Sequence, residues 1–336
     1  MQVNQDESTY RIAAIWAFAE SGLGGLMHAF KIPFTGIFIG GMAVLMLILL
    51  GHQSKFKVIL QTTLLVMLVK LIASPQAPPP AYLAVAFQGL SAAIIYTLIP
   101  QKTIATFMFT IIAMMESALQ KIIITTLIYG KAFWEAIDLF SESVLKDMGY
   151  FSDFQLSWWL IFSYCGIYFI WGIVLGFWGL SIQKRKESTG KALLKFIKDK
   201  QIKIENSNSH SFQKKNKVLP YVSILVIIGM LLIFYIMGFK SKELVFILFR
   251  SLFALLFLIF VLNPVLKYFL IKWSETQSEK RQQEIDRVLG HLPFVRNNWL
   301  IAKEIIKQSE TNQLKSFKIL ETFIFLSLVN HDASEE

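Results

Sequence analysis

Four ionisable side chains, Glu20, Lys70, Glu116 and Lys121, fall inside long runs of hydrophobic residues. A charge at bilayer depth is costly, so it usually faces a bundle interior, a partner charge or a ligand. Two acids and two bases of this kind have two uses. They can form a polar cluster, open at one face, that holds a charged or zwitterionic solute. Alternatively, Glu20 or Glu116 pairs with a lysine or a backbone group and locks the bundle. Lys70, near the end of its run, can also snorkel to the surface. The sequence leaves both uses open.

Glu20 stands in AAIWAFAESGLGGLMHAFKIPF (13–34), followed by Gly22, Gly24, Gly25, His28 and Lys31. The glycines are expected to loosen or bend the helix beside the carboxylate. Just before them, Ala13 and Ala17 form a small-xxx-small pair, widened by Ala14 and Ala19. Such spacing strips one helix face of bulk and lets another helix approach closely. That helix belongs either to this chain or to another subunit docking there. A short echo links AFAESGL (17–23) with AMMESAL (113–119), placing Glu20 and Glu116 in similar settings.

Other chemistry is missing. STGK (188–191) lacks the opening glycine of a phosphate loop, since residue 185 is Arg, and no strand pattern precedes it. The five histidines never approach metal-ligand spacing, and neither HExxH nor CxxC occurs, so no metal or cofactor is expected. No GxSxG serine elbow is present either. The single cysteine, Cys165, excludes an intramolecular disulfide. The chain is not expected to be an enzyme.

The elements that must carry these residues are membrane helices. Of 336 residues, 54% are hydrophobic and 17% charged, far from the balance of an ordinary soluble domain. Segments of about 20 apolar residues, enough to cross roughly 30 Å of hydrocarbon, recur throughout. The expected fold is an all-α polytopic bundle with eight spans, near 12–30, 34–51, 57–73, 81–99, 103–129, 157–182, 218–238 and 244–271. The N-terminal MQVNQDESTYR lacks the basic region and cleavage site of a signal peptide, so the first run is expected to remain a span. SPQAPPPAY (74–82) reads as a stiff, non-helical loop. Residues 130–153 place Phe133, Trp134, Ile137, Phe140, Val144 and Leu145 near a helical period, as a surface-lying amphipathic helix would. Trp134, Tyr150, Trp158 and Trp159 read first as an interfacial belt and second as stacking partners for a planar ring.

Charge sets the orientation. Residues 1–182 hold nine basic and nine acidic residues, leaving the whole net charge of +10 to residues 183–336. The basic stretch 183–217 should be cytoplasmic and attract anionic lipid headgroups rather than nucleic acid. Six spans before it place the N-terminus inside too, in a plasma (inner) membrane. The organisation is therefore a six-span unit (1–182), a basic linker (183–217), a two-span segment (218–271) and a cytoplasmic or interfacial tail (272–336). In that tail, LETFIFLSLV (320–329) is too short to span and reads as an amphipathic helix.

The AxxxA pair at the inner end of span one, the glycine-rich break, the Ile32-Pro33-Phe34-Thr35-Gly36 turn and the six spans resemble the substrate-binding S component of energy-coupling factor transporters. The E-S-x-L of span one and the glycine-rich GIFIGGMAVLMLILLG (36–51) are most similar to the branch labelled heptaprenyl diphosphate synthase component I. The resemblance covers about residues 10–182. It implies capture of a vitamin, a precursor or a similar micronutrient from outside. It also implies docking through Ala13 and Ala17 onto a T-component membrane protein driven by cytoplasmic ATPases, with loops 74–81 and 130–153 gating the pocket. S components normally end after span six, so residues 183–336 depart from the pattern; DRVLGHLPFVRNNWLIAKEII (286–306) is a candidate coupling helix there. Two other readings stand beside this one. An integral-membrane protein of isoprenoid or lipid metabolism would need clustered aspartates for magnesium, which are missing. A membrane scaffold recruiting partners through its basic tail needs no site at all.

Overall fold

The computed structural model of the chain describes residues 3–24, 27, 35–74, 77–148, 155–199, 249–250, 252–253, 256–275, 278–308 and 315–328. The described residues contain no strand. The helices are α1 (Val3–Ala17), α2 (Gly41–Gln53), α3 (Phe56–Ala73), α4 (Pro79–Leu98), α5 (Lys102–Tyr129), α6 (Lys131–Asp147) and α7 (Leu156–Asp199). They continue with α8 (Asn263–Glu275), α9 (Ser278–Gln308) and α10 (Lys315–Leu328). Three π-helical turns, Phe18–Leu23, Gly36–Gly40 and Leu258–Leu262, extend α1 or lead into α2 and α8.

Among the described residues, five segments are long and apolar enough to cross a membrane: Gly36–Gln53, Phe56–Ala73, Pro79–Leu98, Lys102–Tyr129 and Leu156–Ile197. At a rise of about 1.5 Å per residue, the shortest of them already covers about 27 Å. The expected span 218–238 lies outside the described residues, as does the start of 244–271. The end of the latter forms the Leu258–Leu262 turn and most of α8.

Two helices lie at the centre. In α2 every residue from Gly41 to Gly51 is buried, and in α1 so is every residue from Arg11 to Ala17. A helix apolar on all sides has no face to give to solvent and must be surrounded. Accordingly α2 packs against α1, α3, α4, α5 and α7, while α1 packs against α2, α3, α9 and α10. The broadest contact joins α5 to α7. It is made by Gly172 and Gly176, a GxxxG pair the sequence reading passed over. A Cβ at Gly172 would lie 3.1 Å from the Ile111 Cα and the Thr110 carbonyl oxygen, so only glycine lets the two backbones meet this closely.

Several expectations need correction. Helix α1 starts nine residues before the expected span because its polar start finds partners. Glu7 pairs with Arg11 (3.4 Å) and His291 (3.2 Å), the Arg287 guanidinium lies 5.4 Å over the Tyr10 ring, and Gln53 Nε2 donates to the Ser8 hydroxyl (3.2 Å). The proline stretch is not wholly a loop: α4 begins at Pro79, with Pro79 and Pro80 in a first turn that needs no N–H from them. No break falls at residue 182. α7 runs on to Asp199, about 66 Å in all, twice the hydrocarbon thickness. Likewise α8 runs across the expected boundary at 271.

The expected short helix at 320–329 forms within α10, and it packs into the bundle. Thr322 to Ser327 of α10 are all buried, wedged among α1, α7 and α9. Phe323 packs against Phe18 and Trp299, and Phe317 stacks on Trp178 with ring centroids 4.0 Å apart. Arg185 pairs with Glu321, and Asn298 Nδ2 donates to the Ser327 hydroxyl at 3.2 Å. A periodicity argument sees an apolar stripe; three neighbouring helices bury the rest.

Helix α6 forms where an amphipathic helix was expected. Leu139, Phe140 and Val144 are exposed, while the Asp138 carboxylate accepts hydrogen bonds from the Ser157 backbone N–H and hydroxyl, both 2.7 Å, capping the start of α7. Trp134 Nε1 donates to Thr126 Oγ1 (2.9 Å). Trp158 and Trp159 are exposed, as belt residues would be. Tyr150 lies outside the described residues.

Candidate functional site

Of the four charged residues, Glu20 and Lys70 meet each other. Glu20 lies in the π turn Phe18–Leu23, where the wider backbone spiral leads α1 into its glycines and the Ser21 hydroxyl donates back to the Ala17 carbonyl (2.5 Å). Gly22 and Gly24 sit in and just after this turn; Gly25, His28 and Lys31 lie outside the described residues. A π turn inside a helix is uncommon and tends to mark sites under functional or packing constraint.

From this turn Glu20 reaches Lys70, in the last turn of α3. Lys70 Nζ lies 2.6 Å from Glu20 Oε2, with both side chains almost wholly buried. The ammonium also donates to the Ala81 carbonyl (3.3 Å) and lies 5.4 Å over the Tyr82 ring. Its place at a helix C-terminus adds a favourable dipole. Lys70 therefore does not snorkel. Each charge of the pair is met by the other, and a solute would have to break a desolvated ion pair to use either. Beside it, the buried Tyr82 hydroxyl lacks a hydrogen-bond partner.

Glu116 is different. It belongs to the face of α5 that carries Ile112, Leu119 and Ile123, all exposed, whereas Phe109, Ala113 and Met114 turn inward. The carboxylate lines a cleft of about 560 Å³ between α4 and α5, walled by Pro80, Leu83, Phe87, Met115 and Leu262. Its Oε2 is fully covered yet accepts no hydrogen bond from the described residues. Gln120 Nε2 donates to the Pro80 carbonyl (2.9 Å) and ties the two helices at one end of the cleft. Lys121 is exposed, and five residues from Glu116 turn it about 140° round the helix, away from the carboxylate.

Ala13 and Ala17 are both 0% exposed. The expected docking face is occupied by the chain's own helices, with α9 and α10 packed on α1. It is not open to a separate subunit in this structure. The candidate coupling helix 286–306 is the middle of α9, and its Val288, Val295, Ile301 and Ala302 are buried in that packing.

One network went unforeseen. Near the ends of α2, α4 and α5, Thr106 Oγ1 meets both His52 Nε2 (3.1 Å) and the Tyr96 hydroxyl (2.9 Å), while Lys102 Nζ donates to the Gly51 carbonyl (3.1 Å). Lys186 of α7 reaches Gln53 Oε1 (3.5 Å). The signal was a polar group at the end of each run; that the ends meet is a tertiary fact. This network closes the basic end of the bundle, and the cleft opens beyond it, on the outer face of α4 and α5.

Chemically, the described residues offer one saturated ion pair and one carboxylate with an unmet oxygen in an apolar cleft. The first is a lock and the second can accept a donor. No family model, curated protein or solved structure matches the chain.

Proposed function

We propose that this chain is a membrane-embedded substrate-binding subunit for uptake of a small micronutrient, as its resemblance to S components implies. It sits in the plasma membrane with both termini in the cytoplasm, its basic linker against anionic lipid headgroups. Energy comes from separate chains, a T-component-like membrane protein and its ATPases, because the sequence has no nucleotide motif of its own. The observation that carries this reading is the cleft at Glu116. Its volume lies within the usual range of ligand sites, and such sites are mostly apolar with a few placed polar groups.

The buried Ala13 and Ala17 change how the partner engages. A T-like partner must displace α9 and α10 or dock elsewhere. This same covering favours a second reading, a self-contained membrane scaffold whose C-terminal helices are part of its core.

Native mass spectrometry of the protein purified from its own host membrane separates the two. The transport reading expects a bound small molecule that Leu119→Trp, which fills the cleft, expels. A protein bare of solute in every preparation removes the transport reading and leaves the scaffold.

A further inference from the structure

We infer that the cleft between α4 and α5 takes a lipophilic amine that enters sideways from the bilayer, its ammonium meeting Glu116 and its apolar body lying along Leu83, Phe87, Met115 and Leu119. This rests on reading the cleft as the substrate site and names the class of substrate.

Three observations converge on it. The first is where the cleft opens. Along α4, Leu83, Phe87, Leu90, Ile94 and Leu98 are exposed, and along α5 so are Met108, Ile112, Leu119, Ile123 and Leu127. Both sets follow helical spacing and form apolar stripes on two helices long enough to cross a membrane. The cleft lies between these stripes, so its mouth faces hydrocarbon rather than water.

The second is its lining. Apart from Glu116 and Gln120, every described wall residue is apolar, and Gln120 is already bonded to the Pro80 carbonyl. A polar solute such as a sugar or amino acid would leave most of its own groups unmet there, which is costly away from water. A molecule that is apolar except at one point would not.

The third is the charge at that point. Among the described residues no lysine, arginine or histidine pairs with Glu116, and its covered oxygen has no donor. The same chain neutralises its other buried acid with a lysine. A carboxylate on a lipid-facing stripe with no protein cation is matched by a cation that the ligand brings, and N⁺–H to carboxylate is among the strongest hydrogen bonds available. An anionic amphiphile would be repelled at the same spot.

The test uses the full chain in nanodiscs of phosphatidylcholine and three probes of equal chain length, each with a diazirine at mid-chain. One is a primary amine, one the alcohol, one the carboxylic acid. After photolysis, labelled residues are mapped by mass spectrometry. The amine is expected to label α4 and α5 within the cleft well above the other two. Glu116→Gln, similar in volume but uncharged, should lower that labelling about tenfold or more. Leu119→Trp should lower it with the carboxylate in place, and Lys121→Gln should not. Helicity and elution volume check that each variant is folded.

Equal labelling of wild type and Glu116→Gln, or of amine and alcohol, overturns the inference. A co-purifying solute retained by Glu116→Gln but expelled by Leu119→Trp also overturns it while leaving the transport reading standing. Amine labelling as expected, lowered by Glu116→Gln and by Leu119→Trp, upholds the inference.

Discussion

Helices α1 and α5 each carry a glutamate in an apolar run, and the two could hardly be treated more differently. Residues 11–17 of α1 are walled by protein, and Glu20, in the π turn that continues α1, is met by Lys70 at 2.6 Å. α5 is pinned by α7 and α4, and its Glu116 lies where the exposed stripe of α5 meets the cleft beside α4, with one oxygen unmet among the described residues. Enclosure decides the role. A carboxylate enclosed by protein must be neutralised by protein for the bundle to hold. One at the rim of a helix face can be left for something outside.

The sharpest way to break this comparison is to strip Glu20 of its partner. Lys70→Met leaves a buried, unpaired carboxylate and is expected to cost about 3–5 kcal/mol. Glu20→Leu combined with Lys70→Met should recover most of that loss. A double-mutant cycle on thermal unfolding in detergent checks it; purely additive losses would mean that the pair is not coupled.

The wall around α1 comes next. Phe323→Ala removes a ring packed against Phe18 and Trp299, at a cost of about 3 kcal/mol. It should also loosen α10 from α1. With Cys165 replaced by serine, a cysteine placed at Ala17 should resist maleimide in the parent and react once Phe323→Ala is added. Continued protection would show that α9 and the transmembrane helices cover α1 without α10.

On the other side of the comparison, Gly172→Leu forces α7 off α5 and should destabilise by about 1–3 kcal/mol. Unfolding midpoints for Gly172→Leu and for Gly166→Leu, where no atom lies within 4 Å of an added Cβ, give the contrast. Equal effects would undo the idea that α5 is anchored by one face.

The smallest effect should be at Glu116. Glu116→Gln removes a charge that nothing in the described chain pairs with, so stability should change by less than about 0.5 kcal/mol or rise slightly. A loss comparable to that of Lys70→Met would make Glu116 a structural residue and erase the distinction.

Much of the architecture could be read from composition and run length. The spans that became α2, α3, α4, α5 and the first half of α7 lie within a few residues of their expected bounds, because a long apolar run has few alternatives to a helix in lipid. The helix α6 was equally legible from its period. Misreadings cluster where polar or short segments were judged alone. Residues 3–11 fell before the expected first span, and α1 includes them because Glu7, Ser8 and Tyr10 meet α9 and α2. LETFIFLSLV looked amphipathic until three helices closed round it. Prolines 79 and 80 looked like loop because the rule for helix interiors was applied to a first turn.

The sequence by itself determined that the chain is helical and apolar enough for a membrane, that Glu20, Lys70, Glu116 and Lys121 are among the charges within its runs, and that its net basic charge lies in residues 183–336. Tertiary structure alone decided which charges meet. Glu20 and Lys70 are 50 positions apart, and no periodicity relates them; only the packing of α1 on α3 brings them within hydrogen-bond reach. The same holds for Ala13 and Ala17. Small-residue spacing says that a helix can come close, but which helix comes is settled by the competition of all partners for that face, and α9 and α10, on the same chain, are always within reach.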